Sequence, residues 1–276
     1  MKEQSLDYSE FLKIKKKNQS NKHNRVAVIT GAFGRIGSVF LNELLYRGYT
    51  CICLSRNKIK FQELKKNIEF KKFRKIVWIK YDLNKIEDVD NVTKIIGKKY
   101  KKIDCLINCA MNSNRGKNFS YNKKKYSKEM LGIFGAPFLL TESLLKFLRK
   151  SNNGNIINVG SVWGSHAPRF DVYLEMDIGP TPIIAAGKAA LIQYTKFIAA
   201  RESEFNIRAN CLIPGWFPRK GKIERKDYIK KIVNNIPEKR IGNLYDLVSS
   251  VNFLLSDTNK YYTGQSLYVD GGYSIL

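Results

Sequence analysis

Short apolar runs that alternate with helical patterns constrain the fold of this chain more than any other feature of its sequence. Seven runs of the length of buried strands are RVAVIT (25–30), CICLS (51–55), KIVWIKYD (75–82), IDCLINCA (103–110), GNIINVGS (154–161), NIRANCLIPG (206–215) and QSLYVDGG (265–272). Apolar residues at helical spacing between them predict helices near 38–48, 84–99, 127–150, 182–204 and 244–256. Strands that are apolar almost throughout and separated by helices indicate a parallel sheet covered on both faces. The predicted fold class is therefore α/β, a doubly wound Rossmann-type parallel sheet with helices on both faces, in a single domain.

The domain organisation follows from the same pattern. Residues 1–24 are polar and basic and precede the first strand, so we expect a basic N-terminal tail before one dinucleotide-binding domain over 25–276. No apolar run reaches the roughly 18 residues of a membrane span, and residues 1–19 lack the apolar core of a signal peptide. These features predict a soluble, cytoplasmic protein without a membrane partner.

The cysteines suggest free structural thiols. All five lie inside the apolar runs, and their number is odd. A zinc site is not expected, because Cys51 and Cys53 are separated by one residue and the chain contains only two histidines. We therefore predict no metal.

The formal net charge of +25 bears on the choice of partner. Lysines are spread over the whole chain, which favours a solvated basic surface over a dedicated binding patch. Attraction of an anionic cofactor or substrate, or binding of nucleic acid, are the alternatives. No pattern of a nucleic-acid-binding module is visible, so a nucleic acid partner is not expected.

The segment TGAFGRIG (30–37) follows the first predicted strand and opens the first predicted helix. Gly31 allows a tight turn, Gly34 lets the backbone approach a pyrophosphate, and Gly37 permits packing of the helix on the strand. The amino end of the helix favours an anion. This context predicts a dinucleotide-binding loop.

The end of the second strand predicts which dinucleotide binds. A carboxylate at this place would hold the ribose hydroxyls of NAD, but the residues here are Ser55 and Arg56. A guanidinium can clamp a 2′-phosphate, so we expect NADP to be preferred over NAD. Arg35, inside the glycine loop, could add a second charge.

Over residues 25–276 the chain resembles the short-chain dehydrogenase/reductase family. The segments that carry the resemblance are TGAFGRIG, YDL (81–83), LINCA (106–110), NVGS (158–161), GKAAL with Lys188, NCLIPG (210–215) and LLSDTNKYYTGQSLYVDGG (254–272). The last of these is typical of the compact members, and the stretch GSHAPRFDVYLEM is similar to an insertion in a subgroup linked to bacterial surface sugars and nonulosonic acids. The resemblance implies cofactor contacts at Gly31, Gly34, Arg35, Ile36, Gly37, Ser55, Arg56, Asp82, Leu83, Asn108, Ala110, Lys188, Pro214 and Gly215.

The family's chemistry uses four groups, and only two are present. A tyrosine exchanges a proton with the substrate oxygen, a lysine one turn later binds the nicotinamide ribose, a serine holds the oxygen, and an asparagine supports a water chain. Ser161 matches the serine and Lys188 the lysine, whose small neighbours would let the cofactor and the sheet approach. Ile184 stands at the tyrosine position, and counting back from Phe138 places Ile133 at the asparagine position.

Other residues could supply the missing proton. Tyr173 lies twelve residues after Ser161, close to the separation in members that lack the insertion, although its segment resembles a loop more than a helix. His166 is a second candidate, because histidine is a common proton donor and acceptor in catalysis, but a single histidine in a loop is more typical of a surface residue. Tyr194, six residues beyond Lys188, lies on another face of the helix. A water bound to Lys188 is a further candidate.

Two interpretations therefore stand. In the first, the protein is an NADP(H)-dependent oxidoreductase acting on a carbonyl or secondary alcohol of a polar, anionic or sugar-like substrate, with Ser161, Lys188 and Tyr173 as catalytic residues. In the second, it is a pseudoenzyme that binds the nucleotide and serves as a binding or regulatory subunit. The resemblance also implies a homo-oligomer, a dimer or tetramer formed through the helices at 127–150 and 182–204.

Overall fold

The computed structural model describes residues 25–67, 74–112, 123–173, 181–218 and 226–276. The predicted tail, 1–24, lies outside them. Seven strands form one sheet: β1 (Val26–Thr30), β2 (Thr50–Ser55), β3 (Ile76–Lys80), β4 (Cys105–Asn108), β5 (Asn155–Val159), β6 (Arg208–Pro214) and β7 (Ser266–Val269). Every neighbouring pair is parallel, and the order is β3-β2-β1-β4-β5-β6-β7. The predicted doubly wound parallel sheet is confirmed.

The helices fill the connections between the strands. They are α1 (Arg35–Tyr46), α2 (Ile59–Asn67), α3 (Glu87–Lys99), α4 (Lys123–Met130), α5 (Ala136–Leu148), α6 (Phe170–Tyr173), α7 (Pro182–Arg201), α8 (Lys226–Asn234) and α9 (Val248–Leu254). A π-helical turn, Leu131–Gly135, joins α4 to α5. The sequence pattern did not predict α2, α6 and α8, because α2 and α8 are short and rich in lysine and α6 is a single turn.

Apolar helix faces cover the sheet on both sides. On one side α3, α5 and α7 bury Val92, Leu144 and Ile198, and on the other α1 and α9 bury Phe40 and Val251, each 0% exposed. Burial of one such side chain is worth about 1.5–3 kcal/mol. The central strands β1, β5 and β6 are therefore buried along their whole length, whereas the edge strand β7 is only partly covered.

Two helical segments have the length and hydropathy of a membrane span, contrary to the expectation that no apolar stretch is long enough. They are Lys123–Ser151 and Pro182–Arg201, and 56% and 50% of their most apolar windows are buried inside the protein. Both pack on the sheet or on each other. Their apolar character is accounted for by this packing, as in the core helices of α/β proteins.

The order of the strands sets the place of the candidate site. The connections run outward in opposite directions from β1 and β4, so the crevice between these two strands is a topological switch point. The carboxyl ends of the parallel strands meet at this edge of the sheet. Ligands of open α/β sheets bind there, and each predicted site residue that follows a strand lies at this edge.

Candidate functional site

The glycine loop after β1 is so tightly packed that two of its glycines cannot carry a side chain. Gly31 has φ +69°, and a Cβ there would lie 2.9 Å from the Cα of Ala110, beyond the end of β4. A Cβ on Gly37 would lie 2.1 Å from the Gly31 carbonyl oxygen. The loop therefore brings the amino end of α1 directly against the ends of β1 and β4.

The amino end of α1 has the properties of an anion site. Gly34 is the N-cap and offers no side-chain hydrogen bond, and the first turn contains no acidic residue. The first backbone N–H groups of such a helix have no partner within the helix and carry a partial positive charge. Arg35 begins the helix, and its guanidinium donates to the carbonyl oxygen of Phe217 in the loop after β6. This contact ties the glycine loop to the far side of the crevice.

At the end of β2, Arg56 is exposed, and within the described ranges no carboxylate forms an ion pair with it. Ser55, just before it, accepts a hydrogen bond from the indole of Trp78 on β3 (2.9 Å). Asp82 accepts hydrogen bonds from the backbone and side chain of Asn84, which fix the turn after β3, and Leu83 is buried. The rim at β2 is therefore cationic.

Hydrogen bonds hold β4 and β5 at the crevice. The backbone N–H groups of Cys109 and Ala110 both donate to the hydroxyl of Thr30 at the end of β1 (3.0 and 3.1 Å). The amide of Asn108, in β4, donates to Asn158 on β5 (2.8 Å). Such contacts keep the wall of the crevice in one position.

The end of β6 packs closely on the end of β7. The N–H of Gly215 donates to the carbonyl of Val269 (2.9 Å), and a Cβ on Gly215 would lie 2.6 Å from the Cα of Asp270. Pro214, the last residue of β6, is buried. This side of the crevice is therefore built from backbone.

Ser161 and Lys188 are brought together by a glycine. Ser161 follows β5 and caps the short turn Val162–Gly164, where its hydroxyl accepts from the N–H of Trp163 (3.3 Å). A Cβ on Gly164 would lie 2.7 Å from the carbonyl carbon of Lys188, so only glycine lets this turn rest on α7. Ser161 as a whole stays partly exposed.

The ammonium group of Lys188 is held under the end of β5. The residue is 5% exposed, and its Nζ donates to the carbonyl oxygen of Val159 at 2.5 Å. A buried cation is costly unless hydrogen bonds accompany it. This hydrogen bond holds the Lys188 ammonium at Val159, the last residue of β5, two residues before Ser161 in the sequence.

The two isoleucines predicted to replace proton-handling residues lie in one apolar cluster. Ile133 and Ile184 are each 1% exposed and pack with Ile183 and with partly buried Met111, Met130 and Trp163. Ile133 lies in the π-helical turn, and a Cβ on Gly187 would be 2.7 Å from its Cγ2. Gly187 therefore makes room for Ile133, which corrects the expectation that it lets the cofactor and the sheet approach. The tyrosine position of the predicted pattern is filled with hydrocarbon.

The structure distinguishes among the alternative proton donors. Tyr173 ends the four-residue helix α6, so the expectation of a loop was wrong; the position of its side chain lies outside the description. His166 is exposed, with Nδ1 3.0 Å from the hydroxyl of Ser165 and its ring against Tyr268. Tyr194 donates to Glu142 on α5 (2.5 Å), which together with its burial raises its pKa. Tyr194 is thus part of a contact between helices.

The sequence did not indicate that one carboxylate, close to this cluster along the chain, is buried. Glu129 is 5% exposed, and its Oε1 has no hydrogen-bond partner among the described residues. It immediately precedes Met130 and lies four residues before Ile133, which places it next to the isoleucine cluster along the chain. Its neighbours in sequence, KKKYSKEM, are typical of a solvated helix. Only the packing of α4 against α7 and the π-turn shows that Glu129 is buried.

The cysteines and possible metal ligands complete the site. All five cysteines are free, as predicted, and burial raises the pKa of Cys105, Cys109 and Cys211 to about 12. In the part of the chain that the structure describes, no three His, Cys, Asp or Glu residues converge as metal ligands.

Similarity to known proteins extends over nearly the whole chain. The short-chain dehydrogenase model described as enoyl-(acyl carrier protein) reductase matches residues 31–274. The chain belongs to the short-chain dehydrogenase/reductase family. Among family relatives, post-translational flagellin modification protein A of Campylobacter coli is 27% identical over 259 residues, which cover 91% of this chain and 99% of that protein.

Solved structures agree with this membership. A short-chain dehydrogenase of Leptospira borgpetersenii with bound NAD+ is 25% identical and superposes with a TM-score of 0.80 over 99% of this chain and 98% of the other. A gluconate 5-dehydrogenase of Burkholderia cenocepacia, in complex with NADP and tartrate, is 24% identical, with a TM-score of 0.79 over 91% and 96%. The family is thus one of NAD(P)-dependent oxidoreductases of small molecules, and these neighbours carry both forms of the dinucleotide.

Proposed function

We propose that this protein is an NADP(H)-dependent oxidoreductase that acts on a carbonyl or secondary alcohol with an atypical source of the proton. The observation that carries the proposal is Lys188, a cation buried beside the end of β5 on the helix against which the Ser161 turn packs. Burying a charge there is costly, and the hydroxyls of a bound nicotinamide ribose would accept further hydrogen bonds from this ammonium. The domain over 25–276 is the dinucleotide-binding unit.

The residues present fit a dinucleotide. The packed glycine loop and the uncapped amino end of α1 match a pyrophosphate, and Arg56, exposed beside Ser55, matches a 2′-phosphate. NADP is therefore preferred over NAD. The remaining cofactor contacts are assigned to Gly31, Gly34, Arg35, Ile36, Gly37, Asp82, Leu83, Asn108, Ala110, Pro214 and Gly215. When bound, the dinucleotide supplies or accepts the hydride.

The chain itself orients the substrate and handles the proton. Ser161 hydrogen-bonds the substrate oxygen, and Lys188 holds the ribose and keeps a positive charge near that oxygen. The proton comes from Tyr173 or from a water bound to Lys188; His166 is less well suited because it is exposed and lies against Tyr268. Glu129, buried and four residues before Ile133 in the chain, joins these candidates. Without a positioned acid or base the rate falls by about 10²- to 10⁴-fold.

The substrate is a polar, anionic or sugar-like small molecule. The formal charge of +25 attracts anions, and the relative named for flagellin modification supports a link with surface glycans. The basic surface is explained in this way without a nucleic acid or membrane partner. We further propose a cytoplasmic location, consistent with five free thiols, and a homo-oligomer formed through α4, α5 and α7.

A second function is favoured by one specific observation. Ile133 and Ile184 are sealed at 1% exposure in a single cluster, so both positions of the proton path are closed together. A protein that retains the nucleotide site but serves as a binding or regulatory subunit, with no turnover, would have this arrangement.

Two measurements separate these functions. Titration should show tighter binding of NADPH than of NADH, and Arg56→Asp should reverse the order; equal affinities would refute the cofactor assignment. Turnover is then tested with a panel of carbonyl and sugar substrates, with Ser161→Ala as the inactive reference. Cofactor binding without any turnover that depends on Ser161 would support the binding protein.

A further inference from the structure

We propose that Trp78 is a positioning residue for the 2′-phosphate of NADP. Trp78 lies in the middle of β3, outside the glycine loop and outside the segments that carry the family resemblance. Its indole contacts the loop that carries Arg56 through one hydrogen bond and one cation–π contact. The inference rests on the proposed preference for NADP and identifies a residue that produces it.

The hydrogen bond fixes the end of β2. Trp78 pairs in register with Cys53, and its Nε1 reaches two residues further along β2 to donate to the hydroxyl of Ser55 at 2.9 Å. The same hydroxyl donates to the carbonyl oxygen of Asn57 at 3.2 Å. The Asn57 side chain then accepts from the N–H of Ile59 at 2.8 Å, where α2 begins. Hydrogen bonds from Trp78 to Ser55, from Ser55 to the Asn57 backbone and from Ile59 to the Asn57 side chain thus hold the loop from the end of β2 to the start of α2.

The cation–π contact adds a second charge to the loop. The ammonium of Lys58 lies 5.6 Å from the centroid of the Trp78 ring. Lys58 and Arg56 are both exposed, and they stand two residues apart on the same turn. Such a contact is weak at an exposed site, but it limits the directions in which the long lysine side chain extends.

This arrangement has a consequence for specificity. Arginine and lysine side chains are the donors that recognise a phosphate group, and a loop whose conformation is set in advance loses less entropy when the ligand binds. Only NADP has a phosphate at this place on the ribose. Loss of the Trp78 contacts should therefore weaken NADPH binding and leave NADH binding nearly unchanged.

The experiment uses Trp78→Phe in the full-length protein. Phenylalanine keeps an aromatic ring under Lys58 but removes the indole N–H. We expect the Kd for NADPH to rise about three- to tenfold, the usual effect of one lost hydrogen bond, and the Kd for NADH to change less than twofold. Tyr49→Phe is the matched control, because it removes a hydrogen bond from Arg25 (3.1 Å) at the opposite end of β2. The control should leave both Kd values unchanged.

The outcomes distinguish this inference from the proposed function. If the unmodified protein binds NADPH and NADH equally, the cofactor preference is wrong and the inference with it. If the unmodified protein prefers NADPH and Trp78→Phe keeps the same ratio of affinities, only the role of Trp78 is refuted. Lys58→Gln provides a second test on the surface, where folding is not at risk: it should lower the NADPH affinity alone, and an equal loss for NADH would also refute the inference.

Discussion

Ile133 and Ile184 should behave as a coupled pair, and this can be tested by restoring the side chains that the family pattern places there. Each isoleucine is 1% exposed and packed in the same cluster. Ile184→Tyr forces a larger ring into occupied space, at about 1–3 kcal/mol, and buries a hydroxyl without a partner, at a further 1–3 kcal/mol. We therefore expect this variant to lose about 2–6 kcal/mol in the free energy of unfolding.

The second substitution should relieve part of that loss. Ile133→Asn alone removes aliphatic contacts and buries an amide, which costs about 2–4 kcal/mol. In the double variant the shorter asparagine side chain leaves room for the aromatic ring, and two buried polar groups are near each other. The destabilisation of the double variant should therefore be smaller than the sum of the single effects by about 1 kcal/mol or more.

Urea denaturation of the four proteins measures this coupling directly. A control cycle combines Ile133→Asn with Ile96→Val on α3, an equally buried site in a different cluster, and should be additive. Additivity of the Ile133 and Ile184 effects within about 0.5 kcal/mol would refute the reasoning. The same four proteins are assayed for NADPH oxidation, where the double variant should show the largest gain in rate, at most the about 10²- to 10⁴-fold that a positioned acid or base contributes. That gain should disappear when Lys188→Met is added.

Three further predictions concern the scaffold. Gly37→Ala places a Cβ 2.1 Å from a backbone oxygen of the preceding turn, so it should destabilise the protein by about 1–3 kcal/mol and abolish NADPH binding. Gly97→Ala is the control, because its Cβ would face only the tip of a side chain, and it should preserve binding. Normal NADPH binding by the Gly37 variant would contradict the packing argument. Burial alone would raise the pKa of Glu202, but hydrogen bonds from Arg149 and Arg201 outweigh burial and lower that pKa. The ionised Glu202 therefore stabilises the folded protein at pH values above the unfolded carboxyl pKa of about 4.3, and this stabilisation is lost as the pH falls through the pKa of Glu202 in the folded protein. Glu202→Gln should thus cost about 2 kcal/mol in urea denaturation at neutral pH and progressively less as the pH falls below about 4.3, and a cost independent of pH would argue against it. The five free thiols are mostly buried, and burial raises the pKa of each. A thiol reagent at neutral pH should therefore label the native protein slowly and the urea-denatured protein at all five sites. Rapid labelling of the native protein would be inconsistent with the burial.

Much of the site was accessible from the sequence because its parts are local. The glycine loop is one continuous segment. Gly31 and Gly37 must be glycine because of contacts within that segment and with Ala110, just beyond the end of β4. Ser161 and Lys188 were predicted from short motifs at the ends of a strand and within a helix. That they lie close together depends on Gly164, whose lack of a side chain lets the serine turn rest on α7.

Other features could not be predicted, because they depend on contacts between distant segments. The lysine-rich helix α4 looked solvated, yet Glu129 on it is buried. Nothing in the sequence distinguishes Trp78 from other strand residues; only the structure shows that its indole donates to Ser55 on the neighbouring strand. Ile133 and Ile184 were separate departures from the family pattern, and the tertiary structure shows that they fill one space.

The sequence by itself determined the class of fold and the direction of every strand. Apolar runs buried on both faces require helices on both sides of a sheet, and helical connections require parallel strands, so short-range patterns were sufficient. The tertiary structure alone decided which side chains share a space: the sealed isoleucine cluster at the predicted tyrosine position, the cation fixed at 2.5 Å from Val159, and the indole beneath Ser55. The physical reason is that packing and hydrogen bonding act over a few ångströms in space, between residues that are tens of positions apart along the chain.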